Sequence, residues 1–82
     1  MSTPAIVFRP TGWKGYVYST DGTVPASGCM VSIHASGRLG EIDMSTLIKG
    51  FGCSVRFSPA DARSVAAELL SAADAIEGAR DA

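Results

Sequence analysis

The sequence is poor in the residues that most often declare a function. Its 82 positions include two cysteines, one histidine and one tryptophan, and aromatics reach only 7%. Two cysteines, Cys29 and Cys53, are too few for the disulfide framework of a small secreted domain. A single histidine without a Cys-x-x-Cys pair gives zinc no ligand set, so neither metal nor cofactor is expected. Charged side chains make up 18% and the net charge is −1, which gives the chain no overall pull toward nucleic acid or an anionic membrane. No apolar run approaches the ~18 residues of a membrane span, and no basic-then-apolar leader opens the sequence. These absences together predict a cytoplasmic chain in a reducing compartment, held by packing.

The glycine-rich stretches lack a nucleotide motif as well. Gly12-Trp13-Lys14-Gly15, Ser36-Gly37-Arg38-Leu39-Gly40 and Gly50-Phe51-Gly52 do not fit G-x-x-x-x-G-K-[ST], and none joins a strand to a helix. They read as turn glycines.

What is present is globular. The hydrophobic fraction of 46% suffices for one domain spanning 1–82. A chain this short buries only roughly 60–65% of its unfolded surface, so its core is thin and oligomerisation is a realistic supplement. Charge is unevenly spread: residues 1–57 carry five basic and three acidic side chains, residues 58–82 two and five.

The clearest element is the last. Ser58 suits an N-cap, Pro59 the first helical position, and Asp61 the acidic place of a capping box. Apolar residues then recur at Ala62, Val65, Ala66, Leu69, Leu70, Ala73 and Ile76, which is helical spacing. The opposite stripe, with Asp61, Glu68, Asp74 and Glu77, reads as a solvated face. With Gly78 as a left-handed C-terminal residue, the spacing predicts a helix over about 59–77.

Upstream, the pattern changes to alternation. Residues 51–57 alternate apolar with small or polar residues, and 41–48 do so less cleanly. A two-residue turn at Lys49-Gly50 would pair Ile48 with Phe51, Thr46 with Cys53, Met44 with Val55 and Ile42 with Phe57, and set Asp43 opposite Arg56. The alternative for this stretch is a short helix from Asp43 to Lys49 capped by Gly50. A strand at 29–35 would follow a loop around Pro25 and Gly28, and a Ser36-Gly37 turn would pair Val31 with Ile42 and Cys29 with Met44. Cys29 and Cys53 would then lie inward, two strands apart, as small buried hydrophobes. Residues 5–9 and 14–20 read as a hairpin around Pro10-Thr11-Gly12-Trp13, pairing Ile6 with Val17 and Val7 with Tyr16. Asp21-Gly22 reads as a further turn. The expected fold is α+β: a four- to five-stranded antiparallel β-meander with one C-terminal helix packed across its apolar face.

Two sets of residues invite a functional reading. Arg9, Lys14, Tyr16 and Tyr18, with Trp13 at the tip, would share the outer face of the first hairpin. Interleaved aromatics and cations suit a protein-binding hot spot or a single-strand nucleic-acid platform. The plain alternative is that Trp13 folds back and the tyrosines pave the sheet. His34, with Ser32 and Glu41 nearby, resembles a hydrolase trio, but that surface is expected to be flat and exposed, without a pocket.

The stretch from Phe57 through Ser58-Pro59-Ala60-Asp61 to Asp74 is similar to many short bacterial and bacteriophage proteins, in which a strand runs into a Ser/Thr-Pro-capped helix of the form A-x-x-x-A-x-x-L-x-x-A-A. The similarity covers about a quarter of the chain and is a capping and packing pattern. It implies a high-GC or phage provenance and carries no site. Small phage proteins often act by binding a host protein stoichiometrically. The resulting expectation is a non-enzymatic protein-binding module, a phage-type inhibitor or modulator of host defence or transcription machinery. It would use the hairpin residues or a sheet edge, which could also form a homodimer. The alternative is a small nucleic-acid-binding module using the same hairpin.

Overall fold

The computed structural model describes residues 5–81. Five strands run in sequence order across one antiparallel sheet: β1 (Arg9–Pro10), β2 (Tyr18–Thr23), β3 (Met30–Ser36), β4 (Glu41–Ile48) and β5 (Phe51–Phe57). One helix, α1 (Pro59–Asp81), follows β5 after a single residue. The fold is the α+β meander that the sequence predicts.

The β4–β5 hairpin forms in the expected register, with Ile48 opposite Phe51, Thr46 opposite Cys53, Met44 opposite Val55, Ile42 opposite Phe57 and Asp43 opposite Arg56. Lys49 and Gly50 both take positive φ, 49° and 81°, as a primed two-residue turn requires. Residues 43–48 are therefore strand, and the short-helix alternative falls away.

The β3–β4 register differs from expectation by four residues. Val31 faces Thr46, Ile33 faces Met44 and Ala35 faces Ile42, instead of Val31 facing Ile42 and Cys29 facing Met44. The connection is a four-residue loop, residues 37–40, closed by the Gly40 N–H donating to the Ser36 carbonyl (2.8 Å) and the Leu39 N–H donating to Ser36 Oγ (3.2 Å). A shift of four preserves the side-chain faces, because side chains alternate with a period of two.

The N-terminal hairpin is the larger correction. Only Arg9 and Pro10 pair, opposite Asp21 and Thr20, and residues 5–8 are not strand. Asp21-Gly22 is no turn: both lie inside β2, and the chain reverses around Val24–Gly28, where the Val24 carbonyl accepts from the Gly28 N–H (2.8 Å). Gly22 is there for closeness. A Cβ on it would sit 2.7 Å from Ile6 Cγ2 and 2.9 Å from the Val7 carbonyl oxygen. Ile6 and Phe8 do point to the helix-bearing side, because Gly22 faces Val31 on that side.

Alternation separates two faces. One carries Ile33, Ile42, Met44, Val55 and Phe57; the other carries Ser19, Ser32, His34, Asp43, Ser45, Ser54 and Arg56. The helix packs on the first face, where Ala62, Val65, Ala66 and Leu69 and the sheet's Ile33, Ile42, Met44 and Phe57 enclose an apolar cleft of about 180 Å³. Ser58 caps the helix as predicted, its Oγ accepting from the Asp61 N–H at 3.1 Å. Gly78 does not end it; the helix continues to Asp81.

Coverage of the apolar face is partial. On α1 only Ala62 and Val65 are half-buried, and the described residues beyond them are exposed. At 23 residues the helix is roughly 35 Å long, against roughly 24 Å for β5, so it overhangs the sheet. No hydrophobic side chain among the described residues is fully buried. Cys53 is exposed and Cys29 half-buried just before β3, both as free thiols, so neither is the buried hydrophobe expected.

Candidate functional site

The polar face is built from cross-strand rows. The first runs Ser19, His34, Asp43, Arg56 across β2 to β5; the next runs Asp21, Ser32, Ser45, Ser54. A hydrogen-bonded chain organises the first row. Thr11 Oγ1 and Ser19 Oγ lie 2.6 Å apart, and Ser19 Oγ lies 2.7 Å from His34 Nδ1.

The loop between β1 and β2 then closes over this chain. Thr11 anchors it twice: its backbone N–H donates to the Ser19 carbonyl (3.0 Å) and its Oγ1 accepts from the Trp13 N–H (3.1 Å). Trp13 stacks on His34 with ring centroids 5.0 Å apart and planes at 19°, and Tyr16 stacks at 4.9 Å and 26°. Under these rings His34 is only 9% exposed. It is buried, not the flat surface histidine that the expected register implied. Its neighbour is Ser19 on β2, whereas Glu41 sits opposite Ser36 at the far end of β4. The serine at 19 and the aspartate at 43 were hidden from sequence reading because both pairings depend on registers that the misread Asp21-Gly22 and Ser36-Gly37 turns displaced.

The five hairpin residues do not form one surface. Trp13 and Tyr16 lie over His34, and Arg9 stands opposite Asp21 at the sheet margin. Lys14 borders a depression that it shares with Tyr16, Ser36 and Arg38. Tyr18 pairs with Ala35 and so belongs to the opposite face.

A hydroxyl bonded to imidazole is the beginning of nucleophilic catalysis. A relay would also need a carboxylate bonded to the ring, and here Asp43 Oδ1 is buried without a hydrogen-bond partner. Ser19 Oγ is part-buried and shared with Thr11. The arrangement fixes the imidazole and the loop against each other. Beside it lies a shallow, open depression of about 430 Å³ between Trp13, Met30 and Leu47, floored by Ser32, Ser45 and Ser54. It offers hydroxyl groups and one indole edge. Among the described residues no group of three or more His, Cys, Asp or Glu side chains could hold a metal, and no helix is long and apolar enough to cross a membrane.

The other unusual surface is apolar. Phe51 is 80% exposed, Leu69 63%, Leu70 67% and Ile76 59%, all at the β5 and α1 side of the molecule.

No family model matches the chain, and no curated protein or solved structure is significantly similar to it.

Proposed function

We propose that the chain is a non-enzymatic protein-binding module, and that its working surface is the apolar side formed by β5 and α1. One observation carries this reading: in a chain that is 46% hydrophobic, no apolar side chain among the described residues is fully buried, while Phe51, Leu69, Leu70 and Ile76 stand in solvent. Isolated exposed apolar residues are ordinary, but several large ones on the two elements that bound a half-covered layer support an interaction surface. The radius of gyration, 14.5 Å, exceeds the about 12 Å of a compact chain of this length, as expected when the helix awaits a second surface.

The aromatic-basic hairpin supports such a role less well. Two of its three aromatic rings are engaged with His34, and Arg9 stands opposite Asp21, away from the depression that Lys14 borders. The same facts weigh against a nucleic-acid platform, which needs free rings beside clustered cations.

Affinity capture with the tagged chain at low and high salt tests the proposal. A protein retained at high salt by the unaltered chain and lost on Phe51→Glu supports it. A salt-labile nucleic-acid complex lost on Lys14→Ala and Arg38→Ala overturns it.

A further inference from the structure

We infer that the polypeptide that completes the apolar face is a second copy of this chain, joined through β5 as a two-fold pair whose sheets run continuously. The inference rests on the reading of that face as a protein interface.

The sheet has two edges and they differ. β1 is two residues long and contains Pro10, so it offers little for another strand to pair with. β5 is seven residues long, has no proline or lysine, and is exposed along Phe51–Arg56. Its hairpin geometry shows which backbone groups are free. A two-residue turn makes Ile48–Phe51 a hydrogen-bonded pair, and pairs alternate from there. The N–H and C=O groups of Phe51, Cys53, Val55 and Phe57 therefore point to β4. Those of Gly52, Ser54 and Arg56 point outward, evenly spaced along the free edge.

The residue order of β5 suits its own copy. Antiparallel pairing about a two-fold axis at Ser54 sets Phe51 opposite Phe57, Cys53 opposite Val55 and Gly52 opposite Arg56 of the second copy. The outward backbone groups then meet one another in three hydrogen-bonded pairs. All four apolar residues stay on the helix-bearing side, and phenylalanine meets phenylalanine at both ends. Arg56 meets glycine, so no like charges oppose. Phe51 and Val55, 80% and 46% exposed in the single chain, are the large apolar side chains that this pairing covers. A closed two-fold contact of this kind also covers the β5 edge.

Sedimentation equilibrium of the full chain tests the inference. The unaltered protein is expected at dimer mass. Ser54→Pro deletes an outward N–H and leaves the β4 ladder intact, so the dimer should weaken at least tenfold while circular dichroism stays unchanged. Because a proline variant can also fail to fold, Val55→Cys provides a second readout. Its thiol would face Cys53 of the second copy in a non-hydrogen-bonded pair, where Cα atoms approach to about 4.5 Å, within disulfide reach. Mild oxidation should give a covalent dimer linking positions 53 and 55. A monomer at every concentration, or a dimer in which Val55→Cys does not cross-link, overturns the β5 pairing. A monomer that still captures another protein through Phe51 would leave the protein-binding reading standing.

Discussion

Ser19 and His34 face each other across β2 and β3, joined by a 2.7 Å hydrogen bond between Oγ and Nδ1. The bond joins two strands, and Thr11 Oγ1, 2.6 Å from the same Ser19 Oγ, extends it to the loop that carries Trp13 and Tyr16. The only two polar side chains classed as buried are His34, at 9% exposure, and Thr20, at 7%, while no apolar one is buried among the described residues. Small domains normally invert that order. His34 lies on the polar face and Thr20, opposite Ile33, on the helix-bearing one, where the apolar side chains around it stay partly open.

Replacing His34 by alanine removes two stacked ring contacts and leaves Ser19 Oγ without its imidazole partner. Aromatic stacking contributes about 0.5–1.5 kcal/mol per pair and a hydrogen bond about 1 kcal/mol. His34→Ala should destabilise the chain by about 2–3 kcal/mol in urea unfolding. A loss below about 0.5 kcal/mol would show that the loop does not depend on the imidazole.

Trp13→Ala removes one of those stacks, from a residue that is itself 58% exposed. It should cost about 1 kcal/mol in the same assay and leave partner capture at high salt unchanged. Loss of capture with the fold intact would return the binding site to the hairpin.

Much of this architecture could be read from residue order, and the failures have a common cause. The β4–β5 hairpin and the helix start were legible because their signals are local: alternation, a two-residue turn and a Ser-Pro cap. Asp21-Gly22 misled because a glycine that permits close approach looks, in sequence, like a glycine that permits a turn. Gly22 is occupied by Ile6 and the Val7 carbonyl, contacts made by residues some fifteen positions away. The displaced register then hid Ser19 from His34. Gly78 misled in the same way, since nothing local distinguishes a helical glycine from a terminating one. The His34 site was legible as a residue and illegible as a place.

Gly22 and Gly50 should fail on substitution for different reasons. In Gly22→Ala the new Cβ meets backbone and side-chain atoms under 3 Å away, and overpacking of this kind costs about 1–3 kcal/mol. In Gly50→Ala there is open space, but φ is +81°, which costs about 1–2 kcal/mol for a residue with a Cβ. Restoring room with Ile6→Ala should recover part of the first loss and none of the second. Urea unfolding of the two single and two double variants separates the cases; equal response to Ile6→Ala would contradict the crowding at Gly22.

Phe51 gives the sharpest contrast between the chain alone and the chain assembled. Truncating a buried phenylalanine costs about 3–5 kcal/mol, because its contacts are lost and a cavity remains. Phe51 is 80% exposed, so in an isolated chain Phe51→Ser has little to lose and should change stability by under about 1 kcal/mol. If the residue is covered by another polypeptide, the unaltered protein draws stability from that association. Its thermal midpoint must then rise with protein concentration, by mass action. The expected outcome is a midpoint that climbs with concentration for the unaltered chain and stays flat for Phe51→Ser, the two converging at high dilution. A midpoint independent of concentration in both proteins would mean that β5 and α1 stay uncovered by another copy, and that any partner is a different protein.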